Sequence, residues 1–282
     1  MAAAIAPSND AATRMDWCAF RRYDITQVVN GVPTGTDILY LVDHAHWAVS
    51  SRSWTQQEYL ELALAGGALA VEPLSVVTIN VNPCTPLLLS CPVLPPAGLT
   101  QLPLRVERIL NLSLSSPVPI TTTSIESTTF EFFLDAVFPV EPAAVVASAP
   151  VRCDSLASNR YLGGCVDPQV VPTYVLSSAK YPKIAQYVSS AIASSPALAH
   201  LKRTTDSSII NANRDAACKG FKKRDDTDSC DEYPFASTYH PGVVAITEHV
   251  PLSQNTAQGG NLGGFYVANR LINLDPFTVK VS

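Results

Sequence analysis

The chain has 282 residues, of which 47% are apolar and 15% charged, with a formal net charge of −5. That balance excludes a disordered polyelectrolyte, and the lack of any apolar run near the roughly 18 residues of a membrane helix excludes helical insertion, so a soluble chain with no membrane partner is expected. The length accommodates two domains of ordinary size, each with its own core.

The opening "MAAAIAPSND" has neither a basic segment nor an apolar stretch of the kind that directs export, so it does not read as a signal peptide. From there to about residue 138, short alternating runs are separated by Pro and Gly turns: "TDILYLVDH", "LSVVTINVN", "LRVERILNLSLS" and "TTFEFFLDAVF". A period of two at that spacing predicts an antiparallel, sandwich-like domain over 1–138. Within it "WTQQEYLELALAGGALA" is the exception, where Tyr59, Leu60 and Leu64 predict a short helix ending at Gly66 and Gly67. Trp17, Trp47 and Trp54 are expected in the core or at its edge.

The seven cysteines fall into close pairs, Cys84 with Cys91, Cys153 with Cys165 and Cys218 with Cys230, leaving Cys18 over. None has the C-x-x-C spacing of a zinc site, and pairs that close short loops suit disulfides. Disulfides persist in oxidising compartments, so a secreted, extracellular protein is expected. Residues 139–172 are Ala/Pro-rich at first and then Cys-containing, and they predict a connector.

Residues 1–172 hold 8 Arg, no Lys and 15 acidic residues, whereas 173–282 hold 11 basic and 9 acidic residues, so a unit of net −7 precedes one of net +2. A basic second module suits an anionic partner such as nucleic acid. Its periodicity also changes. In "KYPKIAQYVSSAIAS", Ile184, Val188, Ala191 and Ile192 recur at helical spacing with Pro182 in the first turn. A second helix is predicted from an Asp206 cap to a stop near Gly220. The strand "SCDEYPFAST", a partner strand in "GVVAITEHVPL", a turn in "SQNTAQGGN", a helix in "LGGFYVANRLI" and a last strand "PFTVKV" complete the order. The expected fold class is α+β: a mainly-β accessory domain followed by a small α+β domain over 173–282.

Asp231 and Glu232 sit side by side in the first of those strands, where alternation sends adjacent side chains to opposite faces unless a bulge intervenes. Pro234 cannot donate to a ladder and marks an edge. Asn269 lies on the same predicted helix face as Leu262, Phe265 and Tyr266, and Asn255 lies in the turn before it. A carboxylate with amide oxygens is a hard-oxygen set suited to Mg²⁺, Mn²⁺ or Ca²⁺.

Five separated stretches, "YPKIAQYVSSAI", "NRDAACKGF", "SCDEYPFAST", "QNTAQGG" and "FYVANRLINLDPFTVKV", together resemble the NucA/NucB-type deoxyribonuclease domain, in that domain's order. The resemblance implies a ββα-metal core, a divalent cation (Mg²⁺ or Mn²⁺), DNA as substrate, and a sequence-nonspecific endonuclease with an aspartate in place of the histidine general base of the wider superfamily. Carried over, Asp231 is the catalytic base, Glu232 a catalytic or metal residue, and Asn255 and Asn269 metal ligands. Some relatives carry a carboxylate in the last helix, where this chain reads "VANRL". Arg214, Lys222, Lys223 and Arg270 are the expected substrate-binding cations, and a monomer is the default state. Two other functions compete: a catalytically silent secreted binding protein on a nuclease scaffold, and a toxin payload that would require a protein inhibitor. His240 and His249 are rival bases, because histidine is the commoner residue in that role.

Overall fold

The computed structural model describes residues 3–5, 9–67, 78–83, 107–116, 124–126, 128–133, 144–147, 151–156, 163–239 and 245–282. The Cys84–Cys91 pair and His240 lie outside them. The chain divides into two compact units, Met1–Val170 and Val171–Ser282.

The first unit is built of strands: β1 (Ala3–Ile5), β2 (Asn9–Ala12), β3 (Asp16–Val29), β4 (Val32–Ala48), β5 (Ser51–Gly67), β6 (Thr78–Pro83), β7 (Arg108–Ser115), β8 (Ser124–Glu126), β9 (Thr128–Phe133), β10 (Ala144–Ala147), β11 (Val151–Asp154) and β12 (Gly164–Val166). Its main sheet runs β1-β3-β4-β5-β7 with β2 alongside β3, and two three-stranded sheets, β10-β9-β6 and β12-β11-β8, accompany it. All these pairings are antiparallel. Trp17, Trp47 and Trp54 are buried, as their size predicts.

One element departs from expectation. The segment predicted as a helix around Leu60 and Leu64 is the strand β5, paired with β4 on one side and β7 on the other. Leu60, Leu62 and Leu64 also recur with period two, so the run satisfies both templates. The two flanking strands decide between them by supplying ladder partners along both edges. Gln56 in this strand is buried and donates to Asp43 Oδ1 at 2.8 Å, which places a polar pair inside the sheet face. The Cys-containing stretch read as a connector carries β11 and β12 in the first unit, joined by the Cys153–Cys165 disulfide. Arg14 anchors the segment after β12: its Nη1 donates to the Val170 carbonyl at 2.8 Å.

The second unit contains β13 (Thr173–Leu176), α1 (Pro182–Ser194), a short 3-10 helix (Pro196–Ala199), β14 (His200–Lys202), α2 (Ser207–Cys218), β15 (Asp228–Tyr233), β16 (Ile246–Pro251), α3 (Leu252–Ala268) and β17 (Pro276–Val281). β17 lies between β13, parallel to it, and β14, antiparallel. β15 and β16 form a separate antiparallel ladder from Asp228↔Pro251 to Tyr233↔Ile246. Both α1 and α2 follow their sequence signals. Pro182 sits at the start of α1, where a missing amide costs nothing, and Ile184, Val188 and Ala191 are buried. Asp206 caps α2 by accepting from the Ser208 amide at 2.8 Å.

Helix α3 begins ten residues earlier than predicted, so the stretch "SQNTAQGGN" read as a turn is helical. Glycine is a weak helix former, at about 1 kcal/mol per residue against Ala, but Gln258, Leu262 and Tyr266 recur every four residues and are buried. Burial of that face outweighs the local preference. The core they enter also contains Tyr174, Ile184, Val188, Tyr233, Phe235 and Phe277.

Candidate active site

A cavity of about 500 Å³ opens between β15, the loop after it, α2 and α3. Its lining includes Asp231 and Glu232 from β15, Arg214 from α2, and Asn255, Gln258 and Tyr266 from α3. Gly259 and Gly263 form part of the wall, and a Cβ at either would meet open space. These glycines leave room on that side of the helix without being needed for its packing. Gly259→Ala and Gly263→Ala are each expected to stabilise the unit by up to about 1 kcal/mol, read as a higher urea midpoint. An unchanged or lower midpoint would mean that the helix is not formed there in solution.

The ladder through Asp231 and Glu232 has no register shift, so alternation does separate their partners. Asp231 turns to α1, where the Tyr187 hydroxyl donates to its Oδ2 at 2.6 Å. Glu232 turns to α2, with its Oε2 3.7 Å from the Cys218 sulfur. That sulfur is bridged to Cys230, so it has no proton to give and the approach is a packing contact. Both carboxylates nevertheless line the one cavity.

Burial pushes both acids up. For Asp231 it outweighs the hydrogen bonds from Tyr187 and the Glu232 amide. For Glu232 the neighbouring Asp231 charge adds to burial, while Arg214 and the Ala236 amide pull the other way. Burial also raises Tyr187, helped by the Asp231 charge, so its hydroxyl keeps its proton and remains a donor. Tyr187→Phe would leave a buried carboxylate oxygen without this partner, at an expected cost of about 1 to 3 kcal/mol. Urea unfolding in EDTA measures it, and a midpoint equal to that of the unmutated chain would show that the bond contributes nothing.

Asn255 and Gln258 are held by their nitrogens. Asn255 Nδ2 donates to Ser229 Oγ at 3.0 Å and to the Cys230 carbonyl at 2.9 Å, and Gln258 Nε2 donates to the Tyr174 hydroxyl at 3.3 Å. With the nitrogens so engaged, each amide has its oxygen left as an acceptor, and both residues line the same cavity as Glu232. This oxygen set fits a hard divalent cation that retains several waters. No group of three or more His, Cys, Asp or Glu side chains suited to a metal occurs among the described residues.

Other expected site residues are dispersed. Asn269 caps α3, its Nδ2 donating to the Phe265 carbonyl at 2.9 Å, and it is not part of the cavity lining. Arg270 follows in a left-handed backbone conformation, is fully buried, and is not part of that lining. Lys222 and Lys223 are exposed in the loop between α2 and β15. Asn213 ties α2 to the loop after β15 by donating to the Ala236 and Thr238 carbonyls at 2.9 and 3.0 Å. His249 Nδ1 lies 2.6 Å from Asp228 Oδ2, outside the cavity lining. Burial pushes the Asp228 carboxyl up, but the Arg224 amide and the His249 contact outweigh it and hold it below the ordinary range.

Tyr187 and Gln258 were not legible as site residues. Both occupy apolar helix faces, and the only signal was a polar group placed where burial demands a partner.

The Cys218–Cys230 disulfide joins α2 to β15 across twelve positions, next to both carboxylates. Replacing both cysteines with Ser should cost roughly 3 kcal/mol by the loop-entropy relation. Denaturant unfolding measures this, and a loss well under about 1 kcal/mol would show that the bridge does not constrain the unfolded chain.

A buried carboxylate and a half-buried one share the cavity with a guanidinium and two amides held by their nitrogens, a set with the charges and acceptors that phosphate-ester chemistry uses. Residues 186–280, roughly a third of the chain and all within the second unit, match the family model Deoxyribonuclease NucA/NucB. The match is consistent with a NucA/NucB-type nuclease domain there. No curated protein matches the chain.

Proposed function

We propose that the second unit is a metal-dependent endonuclease that hydrolyses DNA phosphodiester bonds without sequence specificity. The observation that carries this reading is the convergence of Asp231, Glu232 and Arg214 on one cavity, within the segment matched by a deoxyribonuclease family.

Hydrolysis needs a water aligned with the leaving oxygen and deprotonated as it attacks phosphorus. Asp231 is the base: burial raises its basicity, and the Tyr187 hydroxyl holds Oδ2 so that the other oxygen can take the water's proton. Arg214 attracts a nonbridging phosphate oxygen. As the water oxygen bonds to phosphorus the phosphodiester P–O bond breaks, and the departing oxygen takes a proton from solvent, while Asp231 later releases the one it accepted. Glu232, Asn255 and Gln258 would hold a divalent cation, which supplies charge neutralisation at the phosphate and a more acidic bound water. Lys222 and Lys223 contribute phosphate contacts at the rim.

Two disulfides occur among the described residues, and no described helix is long and apolar enough to cross a membrane. The bridges support a protein that works outside the cell. Plasmid nicking with Mg²⁺ or Mn²⁺, abolished by EDTA, is the expected result. Plasmid left intact with either metal would sink the nuclease reading in favour of a binding scaffold.

A further inference from the structure

A second cleft, of about 490 Å³, lies where α1 meets β16. Lys183 from the first turn of α1, Arg224 from the loop before β15, and His249 from β16 line it. Among the described residues neither the Lys183 ammonium nor the Arg224 guanidinium is in an ion pair, and both side chains are exposed. The one acid in the lining, Glu248, is turned to its own strand, accepting from the His249 amide at 3.1 Å.

The imidazole is positioned from two sides. Asp228 holds Nδ1 at 2.6 Å and the Phe221 ring packs against it with centroids 4.2 Å apart, which leaves Nε2 as the remaining ring nitrogen. Asp228 also accepts from the Arg224 amide at 2.8 Å, so one buried carboxylate organises both the histidine and the loop that carries the arginine. Tyr187 links this cleft to the carboxylate cavity: it belongs to the cleft lining, and its hydroxyl donates to Asp231, which lines the first cavity.

We infer that this cleft is a second phosphate-binding subsite, in which Lys183, Arg224 and His249 receive a backbone phosphate of the same nucleic acid whose scissile bond lies in the first cavity. The inference rests on the nuclease reading for its ligand. A polyanion suits the arrangement, because the lining carries two cations with no ion pair among the described residues, and one side chain of the lining, Tyr187, bonds to a carboxylate of the first cavity. Such contacts position the strand and carry no sequence information.

The test uses the full chain and fluorescence anisotropy with a labelled DNA duplex in EDTA, over a range of salt concentrations. Lys183→Gln combined with Arg224→Gln should weaken binding several-fold. It should also reduce the magnitude of the salt slope by about 2, since each phosphate contact contributes about 0.9. With Mn²⁺ added, KM should rise while the rate at saturating DNA stays within about twofold, as for lost uniform binding. In the unmutated chain, DNA should protect Lys183 from amine acylation, a readout that needs no variant. An unchanged salt slope or an unprotected Lys183 overturns the subsite, and so does a lower saturated rate at unchanged affinity. Because binding is read in EDTA, failure of the unmutated chain to cleave DNA in Mn²⁺ would sink the nuclease reading separately.

Discussion

Asp231→Asn is expected to lower metal-dependent DNA cleavage by at least about 100-fold, the effect typical of removing a general base. The substitution is nearly isosteric, and the amide oxygen can still accept from Tyr187, so the β15–α1 contact survives. Circular dichroism should therefore show an intact fold while plasmid nicking is lost. Nicking at the unmutated rate would remove Asp231 from the mechanism and leave Glu232, which lines the same cavity, as the carboxylate to examine.

The second large effect is on stability. Burial raises both Asp231 and Glu232 above the ordinary carboxylate range, so the folded state holds protons that the unfolded chain has already released. Stability contributed by these groups must therefore fall as pH rises from the ordinary value near about 4 through their raised folded values. Above that window the full cost of one buried and one half-buried charge is present. In EDTA near neutral pH, Asp231→Asn with Glu232→Gln should raise the melting temperature of the second unit by several degrees, since about 1 kcal/mol corresponds to roughly 4–8 °C in a domain of this size. The gain should disappear below about pH 4, and Mn²⁺ should stabilise only the unmutated chain. A double variant that melts lower than the parent at neutral pH would show that the carboxylates are stabilising as charges. These two results together separate a site that sacrifices stability for chemistry from an ordinary structural acid pair.

Much of the second unit was legible because its signals are local. Pro182 and the spacing of Ile184, Val188 and Ala191 specify α1, the Asp206 side chain specifies the start of α2, and alternation specifies "PFTVKV" as β17. Where local templates overlapped, neighbours decided. Leu60, Leu62 and Leu64 fit a strand as well as a helix, and the ladders to β4 and β7 selected the strand. Glycines at 259 and 260 argued for a turn, and burial of Gln258, Leu262 and Tyr266 drew the segment into α3. The site divides in the same way. Asp231, Glu232, Arg214 and Asn255 line one cavity, whereas Asn269 donates to the Phe265 carbonyl at the end of its own helix and Arg270 is fully buried, neither being in that lining.

By itself the amino-acid sequence determined the chemical equipment: an acidic β-rich half, a basic α+β half, adjacent carboxylates on an edge strand and cysteines spaced for short bridges. Only the tertiary structure decided which groups share an environment. The pairing of Asp231 with Tyr187, the fixed amides of Asn255 and Gln258, and the assembly of Lys183, Arg224 and His249 around a second cleft all join residues distant in the chain. Periodicity tells which face of an element is buried, but the partner that satisfies a buried polar group comes from another element. Its identity therefore depends on packing rather than on any local pattern.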